Sequence, residues 1–496
     1  MHNFNCLRRW GGMDQLEDLL LKTFGHPAFR TPQSEVIQQV LKGGSGVAIM
    51  PTGYGKSVCY QLPSLVLPKL TLVVSPLIAL AEDQVTAARK RGLKATFINS
   101  SISRDEREKR WQQVKAGQIK LLYVTPERLK MPEFWEAVSP SEISLLAIDE
   151  AHCISQWGHD FRPEYARIGE RRKTMGNPPT LALTATATQA VQKEIVENLG
   201  LVGEPVWNVG LERSNLFLAV REVYGQDEKV RSLVALRFQH QGPMIAYFSL
   251  IGSLEKISAE LSRLNIPHVT YHGQLNDRQR REQQHAFMSG QSQMMLATPA
   301  FGLGVDKPDV RVVVHCEIPN SLEAYYQEVG RAGRDGQPSL CELLYDNDDV
   351  SIQMDFLKWT NPDPEFVRAT YKLIANNTLR VRQEGGDYLR GQLLFHNRRD
   401  FRLETALNWL ERWGAIDWPH HDYRQISAVA EPDGEWLEQR LHEIRARVQN
   451  EKLLQLVQWM TIDTCRKVRI YEYFGHDNRQ PCGMCDVCVP AKGFVS

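Results

Sequence analysis

Short apolar runs alternate with amphipathic stretches from about residue 30 to residue 345 of this 496-residue chain. Apolar runs bounded by polar segments are typical of buried parallel strands joined by crossover helices. The rhythm occurs once before about residue 200 and again after about residue 210, which favours two α/β domains in tandem. The predicted strands are residues 47–50, 70–75, 120–124, 145–148 and 180–184, followed by 244–248, 268–271, 294–297, 310–315 and 340–345.

Beyond residue 350 the apolar spacing changes to that of longer helices. Three helices followed by a strand pair at residues 415–418 and 424–429 give the outline of a winged helix. From Gly434 onward, Leu437, Leu441, Ile444 and Val448 form one apolar stripe, which predicts a long helix that leads into a cysteine cluster. The predicted domain limits are therefore residues 1–207, 208–350, 351–433 and 434–496.

The composition is that of a folded globular protein, with 42% apolar and 24% charged residues. Lysine plus arginine and aspartate plus glutamate both number 59, so the formal net charge is zero. This balance argues against a basic protein that coats duplexes, and any nucleic-acid contact must come from local grooves. The longest apolar candidate, from Leu62 to Leu80, is interrupted by prolines and a lysine, so no membrane span is predicted.

A glycine-rich segment between a predicted strand and a predicted helix has the context of a phosphate-binding loop. Its backbone N–H groups can turn toward phosphates, while Lys56 would neutralise the β- and γ-phosphates of ATP and the Ser57 hydroxyl would ligate Mg²⁺. The alternative is a turn with a solvated lysine, which the strand-to-helix context disfavours. The predicted ATP-binding segment consists of Thr52, Gly53, Tyr54, Gly55, Lys56 and Ser57.

Two carboxylates, Asp149 and Glu150, end the predicted strand at residues 145–148. Parallel sheets bind ligands at the carboxyl ends of their strands. Such a pair alone is more often a solvated turn, but with a phosphate loop about 90 residues upstream it indicates a Walker B site. Asp149 would hold Mg²⁺, and Glu150 would orient and polarise the attacking water.

A second glycine-rich turn, at residues 330–336, carries Arg331 and Arg334. Phosphoryl transfer spreads negative charge over three equatorial oxygens, and a guanidinium supplied when two domains close can stabilise it. The alternative is a surface turn with two solvated arginines. The nucleotide motifs elsewhere in the chain favour the catalytic interpretation.

Taken in order, these segments resemble the motifs of the RecQ family of DNA helicases. The resemblance implies two RecA-like domains, a purine pocket in which Gln33 reads adenine and Arg30 packs on it, and a catalytic role for His152. His26 stands where the family commonly has an aromatic ring that stacks on adenine. The matching segments are residues 29–33, 52–57, 75–77 with 83–84, 149–152, 184–186, 271–273, 301–308 and 327–336.

Directly after the motif at residues 149–152, residues 153–163 resemble the aromatic-rich loop by which RecQ helicases couple single-strand binding to ATP turnover. Aromatic rings can stack on bases, and an arginine can contact phosphate. The alternative is that the rings are ordinary core anchors. The candidate coupling residues are Gln156, Trp157, His159, Phe161 and Arg162.

Four cysteines near the C-terminus, Cys465, Cys482, Cys485 and Cys488, offer the four thiolates of a closed tetrahedral Zn²⁺ site. Spacing alone leaves an iron–sulfur cluster open, and the RecQ resemblance of the surrounding segment favours zinc. The other five of the nine cysteines stand singly, as expected for reduced thiols of the cytosol.

The order of the accessory regions differs from the usual family pattern, in which the zinc module follows the motor directly. Here about 115 residues intervene, and no C-terminal helicase-and-RNaseD module is expected, which indicates a short, rearranged branch. The segment from Glu365 to Arg402 contains eight basic and four acidic residues, an excess of four positive charges. Arg398 and Arg399 are therefore candidate duplex contacts, with an ordinary solvated helix face as the alternative.

We expect an ATP-dependent DNA helicase that acts on single-stranded, duplex or branched DNA in recombination and repair, with a 3′ to 5′ polarity that only the resemblance implies. An RNA helicase and an ATP-dependent DNA-remodelling protein with weak unwinding are the alternatives. ATP, Mg²⁺ and Zn²⁺ are the expected cofactors. A monomeric protein of the cytoplasm, associated with the nucleoid, is expected, with single-strand-binding or recombination proteins as partners.

Overall fold

The computed structural model describes residues 13–76, 78–99, 102–155, 162–302, 307–393, 402–419, 422–432 and 439–489. The chain divides into two compact units. The first consists of residues 1–317, 323–344 and 462–496, and the second of residues 318–322 and 345–461.

The first unit begins with a seven-stranded parallel sheet in the order β3-β4-β2-β5-β6-β1-β7. Alternate residues of β1 enter different hydrophobic clusters: Val47 and Ile49 join one, Ala48 and Met50 the other. Both faces of the sheet are therefore covered, which explains why its central strands are continuous apolar runs. The strands are β1 (Gly46–Ile49), β2 (Leu70–Val74), β3 (Ala95–Ile98), β4 (Leu121–Val124), β5 (Ile143–Ile148), β6 (Thr180–Thr184) and β7 (Val206–Asn208).

Helices precede and connect these strands. Two of them begin at side-chain caps, Ser103 and Thr188, which accept hydrogen bonds from backbone N–H groups of the first turn. The helices are α1 (Met13–Phe24), α2 (Gln33–Leu41), α3 (Val58–Val66), α4 (Ile78–Lys90), α5 (Arg104–Lys115), α6 (Pro132–Ala137), α7 (Pro163–Ala166), α8 (Ile168–Thr174) and α9 (Gln189–Leu199).

A second sheet of six strands follows in the order β10-β11-β9-β12-β13-β8. Its strands are β8 (Leu216–Glu222), β9 (Met244–Tyr247), β10 (Val269–Tyr271), β11 (Met294–Ala297), β12 (Val312–His315) and β13 (Ser339–Tyr345). Its helices are α10 (Gly225–Gln239), α11 (Ile251–Arg263), α12 (Asp277–Met288) and α13 (Leu322–Val329). Near the C-terminus, α20 (Arg466–Tyr473) belongs to the same unit.

The prediction of two tandem parallel-sheet domains is confirmed, and each of the ten predicted strands is present. The sequence did not predict β3, β7 or β8. β7 is largely exposed, and Thr96 interrupts the four residues of β3, so neither forms a continuous apolar run. β8 does begin with an apolar run at residues 216–220, which the predicted strands omit, and it is buried only over its first half, at the edge of its sheet.

The second unit consists of α14 (Asn347–Thr360), α15 (Pro364–Asn376), α16 (Thr378–Glu384), α17 (Gly386–Leu393), α18 (Arg402–Arg412), α19 (Gln439–Met460) and an antiparallel pair, β14 (Ile416–Asp417) with β15 (Ser427–Ala428). Four helices from α15 to α18 precede the pair where three were predicted, because α16 has seven residues and buries only Val381, too little for an apolar stripe. The strands are shorter than predicted. The winged-helix assignment and the predicted domain limits stay predictions.

Apolar residues of α15, α17 and α18 share one hydrophobic cluster with Ile416 and Trp418, so the strand pair is anchored to the helices. Within this unit α14 packs against α19. No helix among the residues described above is long and apolar enough to cross a membrane.

Candidate functional site

The phosphate loop lies between β1 and α3, as the sequence predicts. Gly53 and Gly55 adopt φ angles of 80° and 92°, a left-handed backbone that favours glycine. A side chain on Gly55 would also collide with Gln33, since a Cβ atom there would lie 2.7 Å from the Gln33 Nε2 atom. Lys56 Nζ donates a hydrogen bond to the Met50 carbonyl at 3.2 Å. The loop therefore has the conformation and the cation that phosphate binding requires.

Gln33 and Arg30, which precede this loop in the sequence, hold it in place. Gln33 Nε2 donates to the carbonyls of Tyr54 (3.0 Å) and Gly55 (3.2 Å). The Arg30 guanidinium donates to the Gly53 carbonyl at 2.9 Å and lies 5.6 Å from the centre of the Tyr54 ring. These contacts fix the peptide planes on which phosphate contacts depend.

The predicted adenine contacts therefore involve side chains that already have partners. The Gln33 amide oxygen accepts from the Arg30 N–H at 2.9 Å, so both ends of the amide are engaged. His26 is largely exposed. Its partial burial, followed by the charges of Arg30 and Arg91, lowers the pKa of its imidazole. Adenine recognition by these three residues stays a prediction.

Asp149 and Glu150 follow β5 directly and are 7% and 9% exposed. Asp149 Oδ1 accepts a hydrogen bond from the Glu150 N–H at 3.0 Å. Burial, followed by the charge of Glu150, raises the pKa of Asp149 to about 7, and the charge of Lys56 opposes this. A desolvated carboxylate pair beside a single lysine favours an added cation, because the charged form otherwise lacks compensation. The site therefore fits Mg²⁺.

His152 connects the two carboxylates to the neighbouring strand. Its Nδ1 atom lies 2.9 Å from the Thr184 hydroxyl at the end of β6 and 3.3 Å from Glu150 Oε2. The Thr184 hydroxyl in turn donates to the Thr186 carbonyl at 3.0 Å. One buried imidazole thus touches both the Walker B segment and the segment at residues 184–186.

The turn at residues 330–336 of the second domain lies against the phosphate loop of the first. A Cβ atom on Gly53 would lie 3.2 Å from Cγ of Arg334, and one on Gly330 would lie 3.7 Å from Cβ of Thr52. The structure thereby brings Arg334 to the loop that carries Lys56. The two domains contribute to one site.

Arg331 has different surroundings from Arg334. It is 5% exposed and hydrogen-bonds the side chain of Tyr247. A Cβ atom on Gly302 would lie 2.8 Å from one of its guanidinium nitrogens. Arg331 is therefore packed inside the second domain, and Arg334 is the better placed of the two for a nucleotide.

Four of the five candidate coupling residues, Gln156, Trp157, His159 and Phe161, lie outside the described residues, and so do Arg398 and Arg399. The fifth, Arg162, is described. Its N–H donates to the Cys153 carbonyl at 3.0 Å, and its guanidinium donates to the Pro76 carbonyl at 2.6 Å. The two ends of the aromatic-rich segment are thus joined, and Arg162 connects them to the segment after β2.

Cys465, Cys482, Cys485 and Cys488 have their sulfur atoms within 4.8 Å of one another. Four thiolates about 2.3 Å from a shared ion form the usual tetrahedral Zn²⁺ site. Backbone N–H groups add to the set, since Cys482 N donates to Cys465 Sγ at 3.3 Å. The residues therefore fit a structural zinc ion.

The cysteine module is joined to the edge of the second sheet. Leu218 of β8 forms a parallel bridge with Cys485, donates to the Met484 carbonyl at 3.2 Å and accepts from the Asp486 N–H at 3.0 Å. The Val220 N–H donates to the Asp486 carboxylate at 2.9 Å. The zinc module is therefore packed on the second α/β domain, although more than 100 residues lie between them in the sequence.

Sequence reasoning missed the residues that support the turn at 330–336. Arg213 donates to three carbonyls of that turn, and Lys467 donates to the Arg213 carbonyl. Neither residue stands in a recognisable motif, and both act through contacts with residues far away in sequence. No local signal would have identified them.

Family models match three parts of the chain. The DEAD/DEAH box helicase model matches residues 30–194, the helicase conserved C-terminal domain matches residues 226–336, and the RecQ zinc-binding model matches residues 421–489. The two motor models fall on the two α/β domains, and the zinc model contains all four cysteines and extends back into the second unit.

Curated relatives agree with these matches. The ATP-dependent DNA helicase RecQ of Synechocystis sp. is 35% identical over 496 residues, covering 96% of this chain and 98% of the relative. RecQ of Bacillus subtilis is 42% identical over 343 residues, and RecQ of Pasteurella multocida is 33% identical over 478 residues. The chain covers 58% and 63% of the length of these two relatives, and they match 69% and 96% of this chain.

Solved structures share the fold at low identity. Dbp5 of S. cerevisiae bound to RNA and ADP BeF3 has a TM-score of 0.55 and 15% identity, over 88% of this chain and 99% of that one. The helicase MrfA bound to DNA has a TM-score of 0.56 and 20% identity, over 84% of this chain and 59% of that one. From the motor matches, the zinc-binding match and a relative aligned over nearly its full length, we conclude that the chain belongs to the RecQ family of ATP-dependent DNA helicases.

Proposed function

We propose that this protein hydrolyses ATP to move along single-stranded DNA, 3′ to 5′, and to separate duplex or branched DNA. The contact between Arg334 and Gly53 carries the proposal, because it brings the aliphatic part of an arginine side chain of the second domain against the phosphate loop of the first. Two domains that share one nucleotide can open and close with each hydrolysis cycle. Such cycling is how a motor changes its grip on a track.

The residues of the site divide the chemistry between them. Lys56 neutralises the phosphates, Glu150 orients the attacking water, and Arg334 stabilises the charge that develops on the transferred phosphoryl group. Ser57 and Asp149 would hold Mg²⁺, which supplies further charge neutralisation when bound. His152 keeps Glu150 in place through its contact at 3.3 Å.

The coupling of DNA to this chemistry is assigned to the segment at residues 154–163. It begins two residues after His152, and near its other end Arg162 contacts the Pro76 carbonyl in the segment after β2. A base stacked on Trp157 or Phe161 could therefore alter the position of residues next to Glu150. The family membership supports DNA as the track.

The decisive experiment is strand displacement on forked, 3′-tailed and 5′-tailed duplexes with ATP and Mg²⁺. We expect unwinding of the forked and 3′-tailed substrates. Lys56→Ala and Glu150→Gln should each lower the turnover of ATP by at least about 10²-fold without loss of fold, because each removes a phosphate or water contact and little core volume. Lys193→Ala is the matched control, since the Lys193 side chain is 75% exposed and pairs with Glu197 of the same helix.

The other outcomes identify the alternatives. ATPase activity stimulated by single-stranded RNA and not by DNA would indicate an RNA helicase. DNA-stimulated turnover without strand displacement on any substrate would indicate a remodelling protein. Undiminished turnover in either site variant would contradict the site assignment.

We extend the proposal to the setting of the enzyme. A monomer in the cytoplasm, associated with the nucleoid and working in recombination and repair, fits a family of DNA enzymes. Single-strand-binding or recombination proteins are the expected partners. Light scattering of the purified protein, alone and with tailed DNA, tests the monomer.

A further inference from the structure

Arg213 lies outside the nucleotide motifs, in the segment between β7 and β8, yet its side chain reaches the turn that carries both candidate catalytic arginines. Its guanidinium donates to the carbonyls of Gly330 (3.3 Å), Ala332 (2.6 Å) and Gly333 (2.9 Å). These carbonyls follow the C-terminus of α13, where helix carbonyls lack partners within the helix and a positive charge is favourable. One side chain thus satisfies three acceptors of a single turn.

The positions of these acceptors matter for chemistry. The Gly330 carbonyl belongs to the peptide plane that ends at Arg331, and the Gly333 carbonyl to the plane that ends at Arg334. Holding both carbonyls fixes the direction in which each arginine leaves the backbone. Asn215 reinforces one plane, since its Nδ2 atom donates to the Gly333 carbonyl at 2.8 Å.

The zinc module holds Arg213 from the other side. Lys467 Nζ donates to the Arg213 carbonyl at 2.8 Å, and the Tyr471 hydroxyl hydrogen-bonds the Arg213 backbone. Both residues lie on α20, directly after the ligand Cys465. Lys467 is 5% exposed, so its contact is shielded from water.

The same helix also braces α13, which leads into the turn. The Phe474 ring lies 5.9 Å from the Tyr326 ring, and Tyr473 hydrogen-bonds Glu323. The module therefore contacts both supports of the turn, Arg213 and α13.

We propose that Arg213 is a positioning residue for ATP hydrolysis, which transmits the placement of the zinc module to Arg334. The inference rests on the proposed function, because it assigns Arg334 to the transition state. Misplacement of a catalytic group on the order of 1 Å can cost roughly 10²-fold in rate. A protein whose turn lacks these three hydrogen bonds should therefore hydrolyse ATP slowly while it still binds nucleotide.

The test is a double-mutant cycle with Arg213→Ala and Arg334→Ala in the full chain, followed by kcat, the affinity for a fluorescent ADP analogue, zinc content and melting temperature. We expect Arg213→Ala to lower kcat by about tenfold or more, with nucleotide affinity within about twofold and zinc retained. In the Arg334→Ala background it should cause little further loss, because residues that act as one unit are not additive. Arg213→Lys, which keeps the charge without the fork, should be intermediate.

Arg221→Ala is the matched control. Arg221 lies nearby on β8, and its Nε atom pairs with Glu342 at 2.9 Å. Its loss should leave kcat unchanged. Lys467→Met should also lower kcat, but by less than Arg213→Ala, because the side chain of Arg213 is still present. Zinc should be retained.

Several results would overturn the inference: kcat within twofold of wild type in Arg213→Ala, losses that multiply in the double variant, or a parallel fall of kcat, affinity and melting temperature. If Arg213→Ala fails to fold, Asn215→Ala is carried through the same cycle with the same criteria. A wild-type protein without ATPase activity would overturn the proposed function and this inference together. A wild-type ATPase impaired by Arg334→Ala but not by Arg213→Ala would overturn this inference alone.

Discussion

The Nδ1 atom of His152 lies 2.9 Å from the hydroxyl of Thr184, on the neighbouring strand of the sheet. Both side chains are buried, at 2% and 0% exposure, and His152 also touches Glu150. The position of Glu150, the proposed catalytic carboxylate, is thereby tied to the end of β6. A buried polar pair of this kind is costly to break, since the remaining partner cannot turn to water.

Thr184→Val should lower kcat by up to about tenfold, because one hydrogen bond contributes about 0.5–1.5 kcal/mol and about 1.4 kcal/mol corresponds to tenfold in rate. Nucleotide affinity should stay within about twofold, since the substitution keeps the Thr184 carbonyl, which accepts a hydrogen bond from the Met50 N–H at 3.0 Å. Thr71→Val is the control: the Thr71 hydroxyl on β2 is buried without a partner in the described part of the chain. Equal activities of the two variants would contradict a role for the His152–Thr184 contact.

Asp149→Asn should make the metal-free protein more stable at pH 8, where the wild type must bury an ionised carboxylate. Burial raises the pKa of Asp149 to about 7 in the folded state, above its ordinary value of 3.8. The cost to the wild type is therefore complete above pH 7 and shrinks as the pH falls toward 3.8, below which both states are protonated. Melting temperatures of both proteins in a chelator, from pH 5 to pH 8, measure the difference. A difference that does not grow with pH, or that favours the wild type, would contradict the assignment.

The four cysteines should hold one zinc ion per chain, measurable by elemental analysis of the purified protein. Cys482→Ser should lower the melting temperature or the soluble yield, because structural thiolate sites contribute directly to folding. Asp477→Ala serves as the control, since Asp477 lies in the same module, is 84% exposed and is no ligand. Iron with visible absorbance, or protein without metal, would refute the zinc assignment.

Trp157→Ala should keep basal ATPase activity and lose most stimulation by DNA and most unwinding, with Phe161→Ala behaving similarly. Stacking of a base contributes about 1–3 kcal/mol, which is enough to shift a segment between two arrangements by roughly tenfold or more. The measurement is ATPase activity with and without single-stranded DNA, together with melting temperature. Full stimulation in both folded variants would show that the segment does not couple DNA to hydrolysis, and joint loss of basal activity and stability would indicate a purely structural role.

The hydrophobic pattern by itself determined both parallel sheets, because strands covered on both faces must be apolar along their length. Ten of the thirteen strands in the two sheets follow from it, and the three edge strands β3, β7 and β8 do not, since solvent or other segments reach them. The phosphate loop, the Walker B pair and the cysteine cluster were also readable from sequence. Each is a short segment whose chemistry lies in a few neighbouring residues.

Only the tertiary structure decided how these segments meet. It distinguished Arg334, beside Gly53, from Arg331, which packs within its own domain. It also joined Lys467 to the carbonyl of Arg213 across 254 residues of sequence. A contact of that range leaves no periodicity and no motif, because it exists only after the chain has closed around two cores and brought the zinc module back to the edge of the second sheet. The sequence therefore determined which chemical groups the protein carries, and the fold decided which of them act together.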